Sequence, residues 1–432
     1  MLRQSGMSKS QSELIAVGEL RVGMFIELDM GWMSHPFPMS SFRISSGQQI
    51  ETIRKLGLAQ VRYVPEKSDA GSLVSVWQPT QPGAAEVESP IPPRPEPSQV
   101  EEEARRQRGH DQLRQARCER RFQETAALYR LVQEQAQARP QEVKTACDTM
   151  MAGLLAELLQ PGDVTIRLLA GGGGGRAAAH AANVTVLSLL LGKAMGLSPV
   201  ELKRLGTAAF LHDLGKVSLP ERVRSLDDYF SVSEYKLYQD HVAHGVELGQ
   251  MLGLPRETLL AMAQHHELID GSGFPRKSQG ESVGRLGRIL AVTNRYDNLC
   301  NPVHPATALT PHEAMSSLYS QMKGRLDERV LKAFIRMMGV YPPGTVVQLN
   351  DGRHAMVMAA NASRALKPRV LVHDPRMPRR EANVIDLEQA LGLGIRRGIK
   401  PAHLSLESAD YLMPRQRVCY FFEPAESERL AA

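Results

Sequence analysis

The apolar positions of this chain change period four times, and each change marks a different kind of element. In "ELIAVGELRVGMFIELD", residues 13–29, apolar and polar residues alternate around Gly18 and Gly23. That alternation predicts two short strands and a turn. "SGQQIETIRKLGLAQVRYVP" follows with apolar residues at Ile50, Ile53, Leu56 and Leu58. That is near helical spacing, and it predicts a short helix running into a strand. Residues 1–66 therefore read as a small α+β domain. Residues 67–100 lose the pattern: "QPGAAEVESPIPPRPEPS" is too rich in Pro, Gly and Ser to bury a core, and it predicts a flexible linker.

Helical spacing returns at Glu101 and continues to about Leu169. In this connector, assigned to 101–176, "FQETAALYRLVQEQAQA" carries one apolar stripe. The stripe suits a bundle helix with one solvated face, or a helix that pairs with a partner. Five glycines at 171–175 end the connector, and their backbone entropy predicts a mobile loop. From 177 to 340 the helical period is almost unbroken. "NVTVLSLLLGKAMGL" is apolar nearly all round and predicts a buried helix. Ser198 followed by Pro199 predicts the start of the next one. Residues 341–432 change character again. "GTVVQLNDGRHAMVMAA", "RVLVHD" and "RVCYFFEP" are strand-like with turn residues between, which predicts a small, mostly-β appendage. The fold class is mainly α: a helical-bundle domain between a small α+β unit and a β-rich end.

Composition narrows the picture only a little. A 42% hydrophobic content across 432 residues suits a protein with sizeable cores. No run approaches the roughly 18 consecutive apolar residues of a membrane span. The N-terminus lacks the apolar segment of a secretory signal. Together these predict a cytoplasmic protein with no membrane span. Cys118, Cys147, Cys300 and Cys419 lie far apart, which argues against a disulfide framework and a cysteine zinc site. The net charge of +5 is spread among acids and glutamines without a nucleic-acid motif, so DNA is not an expected partner.

The candidate chemistry lies in the histidines. Six of them fall between His180 and His266, most inside apolar helical stretches. His212 and Asp213 sit in "AAFLHDLGK", His241 in "YQDHVAHGVELG", and His265 and His266 in "AMAQHHELIDG". Buried imidazoles without partners are costly, and several on separate helices are best satisfied by sharing a cation. Mixed imidazole and carboxylate ligands suit iron, manganese or zinc better than calcium. His304, His312, His354, His373 and His403 read as ordinary core or surface residues.

The ordered series "HAANVTVL", "FLHDLGKVSLP", "DHVAHGVELG", "HHELIDGSGFP", "GRILAVTNRYDNL" and "LKAFIRMMGVYPPGTVVQL" resembles the HD-GYP family, the metal-dependent phosphodiesterases of bacterial cyclic-di-GMP signalling. "LRVGMFIELDMGWMSHPFPMSSFRI" resembles the small domain that precedes some members. The resemblance implies metal ligands at His180, His212, Asp213, His241, His265 and His266, with Asn294 at the position where the family carries an aspartate. It implies a phosphate contact at Lys216, and catalytic roles for Lys216 and Asp213. It places Asp270, Gly271, Gly273, Phe274 and Pro275 in the substrate-binding signature loop, with Phe274 where tyrosine is usual. Asp297 falls three residues beyond the closing ligand position. Arg176 stands where three-metal members carry a glutamate, so two divalent metals at most are expected, iron or manganese ahead of zinc or magnesium. "CNPVHPATALTP" replaces a basic segment that grips the substrate in some members. Three functions follow: hydrolysis of cyclic-di-GMP, a weakened or inactive module that binds ligand or a signalling partner, or hydrolysis of another nucleotide or phosphoester by the same ligands. The expected partners are a cyclic dinucleotide and a signalling protein such as a diguanylate cyclase, with homodimerisation left open.

Overall fold

A computed structural model describes residues 12–28, 41–55, 58, 60–68, 99–169, 175–226, 229–364, 366–379, 382, 384–390, 392–413 and 417–424. The Pro-rich linker and most of the glycine run lie outside the described residues. The chain divides into two compact units, Met1–Arg94 and Pro95–Ala432.

In the first unit, β1 (Glu13–Ala16), β2 (Phe25–Glu27), β3 (Ser41–Arg43) and β4 (Gln60–Tyr63) form an antiparallel sheet in the order β1-β4-β2-β3. The strands on either side of Gly18 and Gly23 are thus not hydrogen-bonded to each other, because β4 lies between them. Helix α1 (Gly47–Lys55) supplies Ile53 to a core with Met24, Ile26 and Ile44. The alternation of Ile15 and Val17, then Met24, Ile26 and Leu28, is what gives this short sheet one apolar face.

The second unit is mainly helical. It contains α2 (Gln99–Gln135), α3 (Pro140–Leu158), α4 (Arg176–Ala194), α5 (Pro199–Leu211), α6 (Val232–Gln239), α7 (His241–Met251), α8 (Arg256–Ala263), α9 (Arg285–Cys300), α10 (Pro311–Gln321), α11 (Glu328–Met338) and α12 (Leu406–Leu412). Helix α4 is the central one and packs against α2, α5, α9 and α11. Among the described helices it alone is long and apolar enough to cross a membrane, and 83% of its apolar window is buried inside the protein. Such burial is what an all-round apolar helix needs in a globular core. Phe122, Ala126, Tyr129 and Val132 of α2 enter the same core, so the stripe read in the sequence faces the bundle. Ser198 caps α5 in a capping box with Glu201, with Pro199 at the first helical position. All four cysteines are buried and free.

One element departs from the sequence reading. The connector is not helical to Leu169: α3 ends at Leu158, and Val164–Leu168 forms a strand, β5. Its β-branched residues Val164, Thr165 and Ile166 follow a Pro161–Gly162 turn in which Gly162 has φ 109°. The strand has partners only because the end of the chain returns to it. β6 (Val346–Leu349), β7 (His354–Asn361), β10 (Ile395–Gly398) and β11 (Tyr420–Pro424) join it in the order β10-β6-β7-β5-β11. β8 (Arg369–Val372) pairs with β7 and carries β9 (Val384–Asp386). Tyr420, Phe421 and Phe422 of β11 are buried in the same core as the helices.

Candidate metal centre

Every histidine of the series sits at or near a helix end or faces the bundle interior. His180 lies on α4, His212 closes α5, and Asp213 follows it. His241 is the first residue of α7, and His265 and His266 follow α8. Two glycines let these elements meet. A Cβ on Gly215 would lie 2.0 Å from the His241 carbonyl oxygen and 2.3 Å from the Gly245 nitrogen. Glycine there lets the turn after Asp213 press against α7. A Cβ on Gly273 would lie 2.5 Å from the His266 carbonyl oxygen, so the signature loop also closes tightly on its histidine.

The rings are held by their far sides. His212 Nδ1 donates to the Ala209 carbonyl at 2.8 Å, His241 Nδ1 to that of Tyr238 at 2.5 Å, and His265 Nδ1 to that of Met262 at 2.6 Å. His180 Nδ1 donates to Asp297 Oδ2 at 2.5 Å. A carbonyl or carboxylate oxygen accepts only, so each Nδ1 carries a proton and each Nε2 is left to serve as the ligand atom. Those atoms converge. His180 Nε2 lies 3.2 Å from His212 Nε2, and His241 Nε2 lies 3.2 Å from His265 Nε2. Two lone pairs facing each other with no proton between them repel unless a cation lies in their reach.

Asp213 stands between the two pairs. Its Oδ2 is 3.5 Å from His212 Nε2 and 3.6 Å from His180 Nε2, and its Oδ1 is 3.6 Å from His241 Nε2 and 3.7 Å from His265 Nε2. Asp213 Oδ1 and His266 Nε2 are buried without a hydrogen-bond partner. Two ligand groups result: His180, His212 and Asp213, and Asp213, His241, His265 and His266, each with its ligand atoms within 4.8 Å of one another. The carboxylate is shared, as a bridge between two cations would be. This donor set fits divalent metals.

Electrostatics agrees. Burial pushes His212 down to about 4 and His241 and His265 down to about 3, and it holds His266 well below its ordinary value. The imidazoles are therefore neutral at physiological pH, as metal ligation requires. Burial alone would raise the Asp213 carboxyl, but Lys216 and the surrounding histidines hold it well below the usual range. Burial opposes charge on Lys216, whose Nζ donates to Asp213 Oδ2 at 2.6 Å, and that carboxylate keeps the lysine above its ordinary value.

Phe274 lies flat on His266 with ring centroids 4.3 Å apart, and its peptide to Pro275 is cis. Tyr238 borders the centre, 5.3 Å from Lys216 Nζ to its ring centroid. Asp270 is exposed and engaged within its own loop: its Oδ1 accepts from the Ser272 hydroxyl at 2.7 Å, and Arg325 lies 3.6 Å away. Gly271 adopts φ 78° in that loop. Arg176 donates to Ser225 Oγ at 2.7 Å, and its charge bears on Lys216. Asn294 is buried on α9, and its amide oxygen accepts from Asn298 Nδ2 at 2.8 Å. Among the described residues no hydrogen bond joins it to the histidines or to Asp213.

Three features escaped the sequence. Asp297 orients His180 rather than joining the ligand groups. Glu267 is buried and accepts from the Arg276 and Ser278 backbone N–H groups at 2.6 and 2.8 Å, which shuts the signature loop. Tyr238 supplies both a carbonyl and a ring. The one legible signal was Tyr238, an aromatic three residues before a histidine at a helix start.

Residues 172–330 match the family described as HD domain, and residues 12–146 match one described as "Domain of unknown function (DUF3391)". The chain is 25% identical over 372 residues to the cyclic di-GMP phosphodiesterase PA4108 of Pseudomonas aeruginosa, covering 83% of this chain and 84% of that one. It is 33% identical over 150 residues to the cyclic di-GMP phosphodiesterase response regulator RpfG of Xanthomonas campestris pv. campestris, across 34% of this chain and 39% of that protein. It is 32% identical over 126 residues to the 3'3'-cGAMP-specific phosphodiesterase 2 of Vibrio cholerae, across 28% of this chain and 24% of that protein.

Proposed function

We propose that this chain is a metal-dependent phosphodiesterase acting on a cyclic dinucleotide, cyclic di-GMP in the first place, a reading supported by the match of residues 172–330 to the HD domain and by the similarity to cyclic di-GMP phosphodiesterases. The observation that carries this reading is the pair of facing Nε2 atoms on each side of one carboxylate. His180, His212 and Asp213 would hold one divalent ion, and Asp213, His241, His265 and His266 a second. Iron or manganese fits this set best. When bound, the ions would supply Lewis acidity to the phosphate oxygens and lower the pKa of an attacking water.

The chain's own groups do the rest. Lys216 keeps its proton and places a cation beside Asp213, where it would offset charge gathering on the phosphate. Phe274 and Tyr238 give the site an apolar wall and restrict water. The Nδ1 hydrogen bonds fix four rings before any ligand arrives, so little reorganisation remains.

One observation favours the second reading, a module that binds without fast turnover. The Asn294 amide oxygen is engaged by Asn298, and a neutral amide cannot bridge cations as a carboxylate does. The test is hydrolysis of cyclic di-GMP and of 3'3'-cGAMP by Mn²⁺-loaded protein, with products separated by chromatography. The enzyme reading expects turnover of cyclic di-GMP that Asp213→Asn abolishes. Binding without product would favour the module.

A further inference from the structure

The end of the chain reaches the back of the metal centre. Asp297 Oδ2 holds His180 Nδ1, and its Oδ1 accepts from Asn183 Nδ2 at 2.7 Å and from Asn301 Nδ2 at 2.9 Å. Both asparagines are tied to the segment entering β11. Asn183 Nδ2 donates to the Val418 carbonyl at 2.9 Å, and its Oδ1 accepts from the Tyr420 N–H at 2.9 Å. Asn301 Nδ2 donates to the same carbonyl at 2.9 Å, and its Oδ1 accepts from the Val418 N–H at 3.0 Å. Each amide is thereby fixed in one orientation. Its oxygen faces a backbone N–H, so its nitrogen must face the Val418 carbonyl and Asp297.

The arrangement is buried throughout. Asp297 is fully enclosed, and Asn183 and Asn301 are 1% and 8% exposed. Two helix-borne side chains and Asn301, which caps α9, are buried polar groups that need partners, and they find them in one another, in His180 and in the backbone of residues 418–420. No other described element offers the asparagines a backbone donor. β11 is in turn pinned from its other side. Glu423 accepts from the buried Arg167 of β5 at 3.0 Å, and the Tyr420 hydroxyl meets that of Tyr296 at 2.9 Å.

We propose that Asn183 and Asn301 are positioning residues for the His180 half of the metal centre, and that residues 418–420 are the anchor that holds them. The chain of contacts runs from the Val418 and Tyr420 backbone through the two amides to Asp297, and from Asp297 to His180. The other rings are held within a few residues of themselves: His212 by the Ala209 carbonyl, and His241 and His265 of the other half by those of Tyr238 and Met262. The two metal sites therefore depend on different parts of the chain. The inference rests on the metal-centre reading above.

The test uses the full chain treated with EDTA and titrated with Mn²⁺. His180→Ala identifies the class of bound ion that needs His180. Asn301→Asp keeps the shape and the bond from Val418 N–H, but loses donation to Asp297 and sets a carboxylate beside it. Asn183→Ala removes the second amide. Both variants are expected to weaken the His180-dependent class by roughly 10–100-fold, with the other class unchanged within about twofold. The EDTA-treated variants should still fold, with a lowered melting temperature because buried groups lose partners, and the His180 Nδ1 proton resonance should shift or broaden. Equal affinity of both classes in the variants would overturn the proposal. So would joint loss of both classes together with the metal-free fold, which would make the asparagines merely structural. If the unsubstituted protein itself shows no His180-dependent class, the metal-centre reading fails first and takes this inference with it.

Discussion

Asp213 is the residue on which both ligand groups depend. Removing it leaves buried histidine lone pairs facing each other without the carboxylate between them. Asp213→Ala should therefore reduce bound Mn²⁺ to well under one equivalent and remove the Mn²⁺-induced rise in melting temperature. That rise is worth about 2.7 kcal/mol when metal is 100-fold above its dissociation constant. An unchanged response to Mn²⁺ would count against a shared centre. The histidines also set a pH dependence in the metal-free protein. His212, His241 and His265 are pushed by burial to about 4, 3 and 3, below the value near 6.5 expected when unfolded. The unfolded chain then takes up protons that the folded chain refuses. Stability should fall as pH drops from about 7 toward 4, with a slope reflecting roughly three protons. Melting of EDTA-treated protein across that range checks it, and a flat profile would contradict it. Asn294→Asp restores a carboxylate of the same size at the family position. It should raise Mn²⁺ occupancy and the rate of cyclic di-GMP hydrolysis, both read against the native chain.

At the scale of elements, the close approach of the Gly215 turn to α7 sets the distance between the two ligand groups. Gly215→Ala would drive a methyl into the His241 carbonyl and the Gly245 backbone, neither of which is a flexible side chain. The expected cost is about 1–3 kcal/mol, read as a lower melting temperature, together with weaker metal binding in the folded fraction. Helices and their ligands were legible in the sequence because period and chemistry coincide there. The histidines stand inside apolar stripes, and Ser198 and Pro199 announce α5. What stayed hidden was set by distant pairing. Five residues at Val164–Leu168 become a strand only because β7 and β11 flank them. Asp297 looked like a spare carboxylate because its partner His180 lies 117 positions away. Asn183 and Asn301 carry no signal, since their role depends on where the last strand returns.

At the scale of the whole molecule, Pro95–Ala432 holds every residue of the centre, and Met1–Arg94 has its own small core. Metal should therefore stabilise one unit and not the other. In calorimetry, Mn²⁺ should move the unfolding of the larger unit upward by several degrees and leave the smaller unit's transition in place. An equal shift of both would mean that the units unfold together.

The most direct test follows bound metal and hydrolysis in the same samples. EDTA-treated protein is titrated with Mn²⁺, and metal equivalents and cyclic di-GMP cleavage are measured at each step. The account predicts saturation at two equivalents per chain, with cleavage rising as the second one binds. Saturation at three equivalents, or at two with no cleavage of cyclic di-GMP, would contradict it.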